Sequence, residues 1–260
     1  MDEDIGSGDV TTNACVPAGA QATGTFFARQ DLVLAGTIVL PVIYDLRGGV
    51  SLLELHAHDG DHLSSGAPIA CVEGPARTLL TCERVALNFL QRLSGVATLA
   101  ARYVGAVEGT GVRILDTRKT TPGLRLLEKQ AAAAGGVTNH RLGLHDAVLI
   151  KNNHIAAAGG VRAAFERVQS DAAEIEVRSR AELDEALACG AKRLLLDNLT
   201  PAEAAEWIRY INGRASTELS GGITLDTVRA YAKAKPDFIS VGAITHSATA
   251  VDLNFRIQLR

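Results

Sequence analysis

The chain reads as an α/β protein in which a short antiparallel region and one long helix precede a parallel (β/α) barrel. Two patterns predict this. Up to about Gly74, short alternating segments are broken by turns, whereas after Gly95 strand candidates and helical stretches take turns along the chain. A composition rich in Ala, Gly, Leu and Val, with only 4% aromatic residues, suits close packing of helices on strands.

The first region contains TGTFFARQDLVLAG and VSLLELHAHDGDHLSSGAPIACVEG, where Asp59-Gly60 and Ser65-Gly66 supply the chemistry of tight turns. A helix is expected over 75–95, with Cys82, Ala86, Phe89, Leu90 and Leu93 on one face. Thr81, Arg84, Asn88 and Gln91 form a second, polar stripe on it. Seven strand candidates follow, at 112–117, 137–140, 147–151, 174–178, 193–198, 216–221 and 237–242. Between them lie helical stretches such as GLRLLEKQAAAA, with Pro122 ahead and Gly135 behind, and RAELDEALACG, which closes on Gly190. Strands separated by helices make a parallel sheet, and short apolar strands wrapped in this way favour a barrel over a doubly wound sheet.

Catalytic groups of such barrels lie at the C-terminal ends of the strands. Here functional groups do sit at those ends. Arg118 and Lys119 follow the first strand, His140 and Arg141 the second, and Lys151 the third; Glu176 is late in the fourth, Asp197 ends the fifth, and Ser220-Gly221-Gly222 and Gly242-Ala243 end the last two. A single cation at a strand end is usually a solvated loop charge. Seven consecutive strand ends that deliver functional groups point instead to a site.

The residue types suggest its chemistry. Glycine-rich turns that open into helices near Thr224 and Thr245 offer backbone N–H groups and helix N-termini to a phosphate. Arg118, Arg141 and Arg84 carry planar forks suited to carboxylates, while Lys119 and Lys151 are point charges. Glu176 and Asp197 could hold magnesium (Mg2+), bond to sugar hydroxyls, or pair with the cations beside them. The inventory suits a phosphorylated sugar and a small polycarboxylate.

The rest of the chain excludes several classes. With 26 Lys and Arg against 29 Asp and Glu, the net charge of -3 favours neither nucleic acid nor an anionic membrane. No apolar run reaches the roughly 20 residues that span a bilayer, and Met1 leads into Asp2, Glu3 and Asp4 rather than a basic leader, so a cytoplasmic protein is expected. Cys15, Cys71, Cys82 and Cys189 are scattered and read as buried thiols. His56, His58, Asp59, Asp61 and His62 resemble metal ligands, yet they sit on a hairpin and make no closed tetrahedral set, so a structural or solvated role is expected. His145 and His154 read as local hydrogen-bonding residues.

The motifs EDIGSGDVTT, CERVALNFLQRLSGVAT, DTRKTTPGLRLLEK, NHRLGL, LIKNNHI, LLLDN, ELSGGI and ISVGAITHS are spread along the chain from near its start to near its end. As a set they closely resemble the quinolinate phosphoribosyltransferase family. That resemblance implies a type II phosphoribosyltransferase fold, an N-terminal α/β sandwich (1–95) joined to an open seven-stranded (β/α) barrel (96–246), with the tail at about 247–260 packed back on the first domain. It also implies a homodimer with shared active sites. Arg118, His140, Arg141 and Lys151 would line a quinolinate pocket completed by Arg84 of the partner. Lys119, Glu176, Asp197, Ser220, Gly221, Gly222, Gly242 and His246 would contact phosphoribosyl pyrophosphate and its magnesium, with Glu176 and Asp197 nearest the metal. The implied reaction yields nicotinate mononucleotide, pyrophosphate and carbon dioxide. Asn152, Val137 and Val85 depart from the family pattern, but none of them removes an assigned group. Two other readings remain: a related phosphate-binding barrel enzyme acting on another phosphosugar, against which the NHR and LIKNNH motifs argue, and a non-catalytic homologue, against which the filled charged positions argue.

Overall fold

The computed structural model describes residues 1–168, 170 and 172–260 and falls into two units. The first comprises 1–101, 127–136 and 248–260, and the second 102–126 and 137–247.

The first unit opens with two short helices, α1 (Asp2–Ile5) and α2 (Val10–Cys15); the Asp9 carboxylate caps α2 by accepting the Thr12 N–H at 2.9 Å. There follow β1 (Gln21–Ala28), β2 (Leu32–Val33), α3 (Val39–Asp45), β3 (Leu52–Leu55), β4 (His62–Leu63) and β5 (Pro68–Pro75). The long helix α4 covers Ala76–Ala106. Along it Leu79, Cys82, Ala86, Leu90, Leu93, Ala97 and Ala100 recur at helical spacing and are all buried. The expected helix stops at Gly95; the observed one continues through it, because that glycine is a packing residue rather than a terminator. A Cβ there would lie 2.2 Å from the Thr249 carbonyl oxygen. Gly95→Ala should therefore lower stability by about 1–3 kcal/mol, the usual cost of overpacking, read as a lower midpoint in chemical denaturation. An unchanged midpoint would show that the 249–250 segment yields freely.

The histidine-rich segment is not the hairpin expected from sequence: β3 pairs with β5 and β4 with β2, so 56–61 connects two sheets, and Asp59 holds the connection. Its carboxylate accepts Gly36 N–H at 2.9 Å, Thr37 N–H at 3.0 Å and the Thr37 hydroxyl at 2.7 Å, while Asp61 accepts His58 N–H at 2.8 Å. The acids tie the loop together.

In the second unit the elements alternate: β6 (Arg113–Leu115), α5 (Arg125–Ala134, most of which groups with the first unit), β7 (Leu149–Ile150), α6 (Asn152–Ala158), α7 (Val161–Glu166), β8 (Glu174–Val177), α8 (Arg180–Ala188), β9 (Arg193–Asp197), α9 (Pro201–Ile211), β10 (Ser216–Ser220), α10 (Leu225–Ala232), β11 (Phe238–Ser240) and α11 (Ala243–His246). The last strand, β12 (Leu253–Leu259), returns to the first unit, where the antiparallel order is β12-β1-β5-β3. The parallel sheet has the order β6-β11-β10-β9-β8-β7. The segment expected as a strand at 137–140 contributes only a bridge from Thr138 to Leu115. Side chains take over from the ladder there: Asp116, fully buried, accepts His140 N–H at 2.8 Å and Asn139 Nδ2 at 2.7 Å. The result is a seven-position barrel, closed between β11 and β6. Among the described residues no ladder joins Thr138 to β7.

Strand alternation decides what faces the barrel interior. Along β8 and just beyond it Glu174, Glu176 and Arg178 share one side, opposite Ile175 and Val177. The same parity brings Glu218 and Ser220 inward from β10, and Ser240 from β11. None of the described helices is long and apolar enough to cross a membrane.

Candidate active site

The strand ends surround a cavity of about 720 Å³ within the second unit. Twelve of the thirteen residues assigned from sequence line it: Arg118, Lys119, His140, Arg141, Lys151, Glu176, Asp197, Ser220, Gly221, Gly222, Gly242 and His246. The thirteenth, Arg84, is an exposed residue of α4 and is not part of the lining.

Each part has a local cause. Lys119 is placed by its loop, whose carbonyl accepts the Thr245 hydroxyl at 2.7 Å, and its side chain lies across Gly242, where a Cβ would come within 2.9 Å of Lys119 Cδ. Gly221 and Gly222 have φ of 101° and 61°, a backbone that glycine adopts most easily, and so turn sharply after β10. Asn198, with φ of 58°, gives its N–H to the Ser220 carbonyl at 2.9 Å and links two strand ends. His154 is a capping group: its Nδ1 accepts the Lys151 N–H at 2.9 Å at the start of α6.

The cationic end is under electrostatic strain. Burial, followed by the like charge of Arg118, holds the Arg141 pKa below the ordinary arginine value. Arg118 Nε is buried with no hydrogen-bond partner. Two adjacent guanidinium groups, one with an unsatisfied donor, favour an anion with several acceptors.

Beneath them lies a cluster that sequence reading missed. His140 Nε2 stands 3.5 Å from Glu174 and 3.4 Å from Glu218, both carboxylates buried. Burial alone would lower the His140 pKa, but the two carboxylates outweigh it and raise it to about 9. His140 Nδ1 also lies 2.6 Å from Arg141 N, and a second ring proton would break that bond. Losing a neutral hydrogen bond costs about 1 kcal/mol, whereas an uncompensated buried charge costs several, so the charged ring prevails. Burial and then the neighbouring carboxylate raise Glu218 above an ordinary glutamate, with His140 opposing. The His140 pKa is raised on folding, from about 6.5 in the unfolded chain. Its contribution, on the order of 3 kcal/mol, is fully present below about pH 6.5 and gone once the pH has risen through 9. Melting temperatures should fall across that window, and His140→Gln should flatten the fall; an equal fall in the variant would remove His140 as the cause.

Glu176 and Asp197 are not free. Arg178 NH2 lies 2.8 Å from Glu176 Oε1, an ion pair without the alignment of a hydrogen bond. Asp197 Oδ2 accepts Arg178 Nε at 3.1 Å and Asn198 Nδ2 at 2.7 Å. Among the described residues, the grouping of three potential metal ligands is His140, Glu174 and Glu218, which includes neither. As held, the pair does not fit a directly coordinated magnesium ion. Strand parity with Glu176 and Ser220 was the signal that could have found Arg178 and Glu218.

Comparison with known proteins settles the lineage. The family model for the quinolinate phosphoribosyl transferase N-terminal domain matches residues 9–94, and that for the C-terminal domain matches 96–256. The chain belongs to the quinolinate phosphoribosyltransferase family. It is 42% identical over 263 residues to the nicotinate-nucleotide pyrophosphorylase [carboxylating] of Mycobacterium leprae, covering 97% of this chain and 93% of that one. The probable nicotinate-nucleotide pyrophosphorylase [carboxylating] of Bacillus subtilis is 39% identical over 269 residues, covering 99% and 90%. The crystal structure of NadC from Streptococcus pyogenes superposes with a TM-score of 0.93 at 40% identity, covering 100% of this chain and 94% of that one. The family's N-terminal sandwich and open barrel correspond to the antiparallel and parallel sheets described above.

Proposed function

We infer that the chain transfers phosphoribosyl from phosphoribosyl pyrophosphate to quinolinate and releases nicotinate mononucleotide, pyrophosphate and carbon dioxide, the decarboxylating pentosyl transfer of de novo NAD biosynthesis. The observation that carries this reading is the sharing of one cavity by Arg118, His140, Arg141 and Lys151 with the Ser220-Gly221-Gly222 and Gly242 turns. Cations for a dicarboxylate and N–H-rich turns for phosphates are what the two substrates require, and the cavity volume suits two small anions together.

Arg118 and Arg141 clamp the quinolinate carboxylates, aided by protonated His140 and by Lys151, and hold the ring nitrogen against the anomeric carbon. The nitrogen lone pair forms the new bond while the carbon–oxygen bond to pyrophosphate breaks and its electron pair leaves with the pyrophosphate. Glu176 and Asp197 favour the positive charge that develops on the sugar. Lys119 and His246, with the turns, receive the phosphates. The alkylated, positively charged nitrogen then stabilises the electron pair left on the neighbouring ring carbon as the carbon–carboxylate bond breaks; carbon dioxide departs, and a proton takes its place on that carbon. Magnesium belongs to this proposal as the counter-ion of pyrophosphate, entering with the substrate.

The proposal includes a cytoplasmic homodimer in which Arg84 of the partner completes the quinolinate pocket. Exposed Ile38, Val42 and Leu46, four residues apart around α3, support burial of this unit's surface in an assembly. Family membership does not favour an enzyme of another phosphosugar or a non-catalytic homologue. The deciding experiment measures nicotinate mononucleotide formed from quinolinate, phosphoribosyl pyrophosphate and magnesium, with nicotinate as the parallel substrate. Product from quinolinate alone is expected; no product from folded protein would overturn the proposal.

A further inference from the structure

Arg178 lies inside the site without having been assigned to it. It follows β8 on the same side of the strand as Glu176, and its backbone N–H is held by Glu182 at 2.7 Å at the start of α8. The guanidinium spans the two carboxylates proposed to face the sugar: NH2 is 2.8 Å from Glu176 Oε1 and 3.1 Å from Asp197 Oδ2, and Nε is 3.1 Å from the same Asp197 oxygen. Asn198 Nδ2 also donates to Asp197 Oδ2, so three donor atoms crowd this one oxygen. Glu176 is 4% exposed and Asp197 12%, whereas the Arg178 side chain is 46% exposed. The carboxylates are fixed; the cation between them sits at the solvent edge on a long flexible stem.

We propose that Arg178 is a built-in counter-ion that competes with divalent metal for the Glu176–Asp197 pair, so that free metal is kept out until an anionic substrate draws the guanidinium away. Electrostatics supports this. The pair carries two negative charges and Arg178 returns one positive charge; a divalent ion placed there would meet a guanidinium within a few ångströms. Hard carboxylate oxygens are otherwise the ligands such an ion prefers. A diphosphate entering at the neighbouring glycine turns offers the guanidinium an equivalent bidentate partner, which is the substrate class that would release it. The inference deepens the proposed function by adding a residue that governs how metal and phosphoribosyl pyrophosphate enter.

The test is a titration of the unliganded protein with Mn2+ alone, following the free ion by electron paramagnetic resonance. Arg178→Ala and Arg178→Gln should bind Mn2+ at least about tenfold more tightly than the wild type, a conservative figure given the screening of a half-exposed charge. Asp197→Asn added to either variant should abolish the gain. Equal affinity in wild type and both variants, or a gain that survives Asp197→Asn, would overturn the inference. Two variants guard against misfolding in one. The readout is ion binding without substrate, so it stands or falls separately from the formation of nicotinate mononucleotide.

Discussion

Arg118→Ala should lower kcat/KM for quinolinate by about 10²–10³-fold, with little change in stability. Truncating one partner of a desolvated charge pair costs roughly 2–5 kcal/mol, and each 1.4 kcal/mol is tenfold. Arg118 fits that description in two ways. Its Nε is buried without a hydrogen-bond partner in the ligand-free protein, and its charge raises the cost of ionising Arg141 beside it. Both are unfavourable until a dianion arrives. Removal should therefore relieve repulsion in the free protein while weakening the complex, a pattern opposite to that of a structural arginine. Arg118→Lys retains the charge but loses the planar fork and should recover only part of the loss. Steady-state kinetics with thermal melts of the same three proteins would decide it; a variant that melts early and keeps its affinity for quinolinate would place Arg118 in the scaffold.

Gly221→Ala should act on the other substrate. At φ of 101° an added side chain is strained by about 1–2 kcal/mol, and its Cβ would stand 2.3 Å from Asn198 Oδ1 and 2.8 Å from the Asn198 backbone nitrogen. The amide side chain could swing aside; the backbone nitrogen, held to the Ser220 carbonyl, cannot. The turn must shift, and the N–H groups proposed to receive phosphate shift with it. KM for phosphoribosyl pyrophosphate should rise by roughly tenfold or more, since misplacement of about 1 Å can cost as much as 10²-fold, while binding of quinolinate to the free protein is retained. Loss of both affinities together would point to global damage instead.

What could be read in the chain was whatever local chemistry announces. The functional groups at seven strand ends were visible one by one, because strand periodicity places residue types at fixed offsets, and twelve of those residues line one cavity. Gly95 was misread because glycine within an amphipathic pattern has two meanings, helix end or close approach, and only the position of Thr249 distinguishes them. The 137–140 segment was apolar and polar in the manner of a strand, but the Asp116 carboxylate, twenty-odd residues earlier, takes its donors. Glu174, Glu218 and Arg178 went unassigned although their parity was legible, since two buried acids on different strands and an arginine just past one of them reveal a charge balance only when brought together.

The sequence alone determined the class of fold, the family and the chemical inventory of the site, because these follow from periodicity, from turn residues and from the motifs themselves. The tertiary structure decided which charges neutralise which: that Arg178 holds the Glu176–Asp197 pair, and that His140 keeps its proton between Glu174 and Glu218. The physical reason is that an ion pair or a shifted pKa depends on distances of a few ångströms and on exclusion of water, and in a barrel both are set by strands that adjoin in space while lying far apart along the chain.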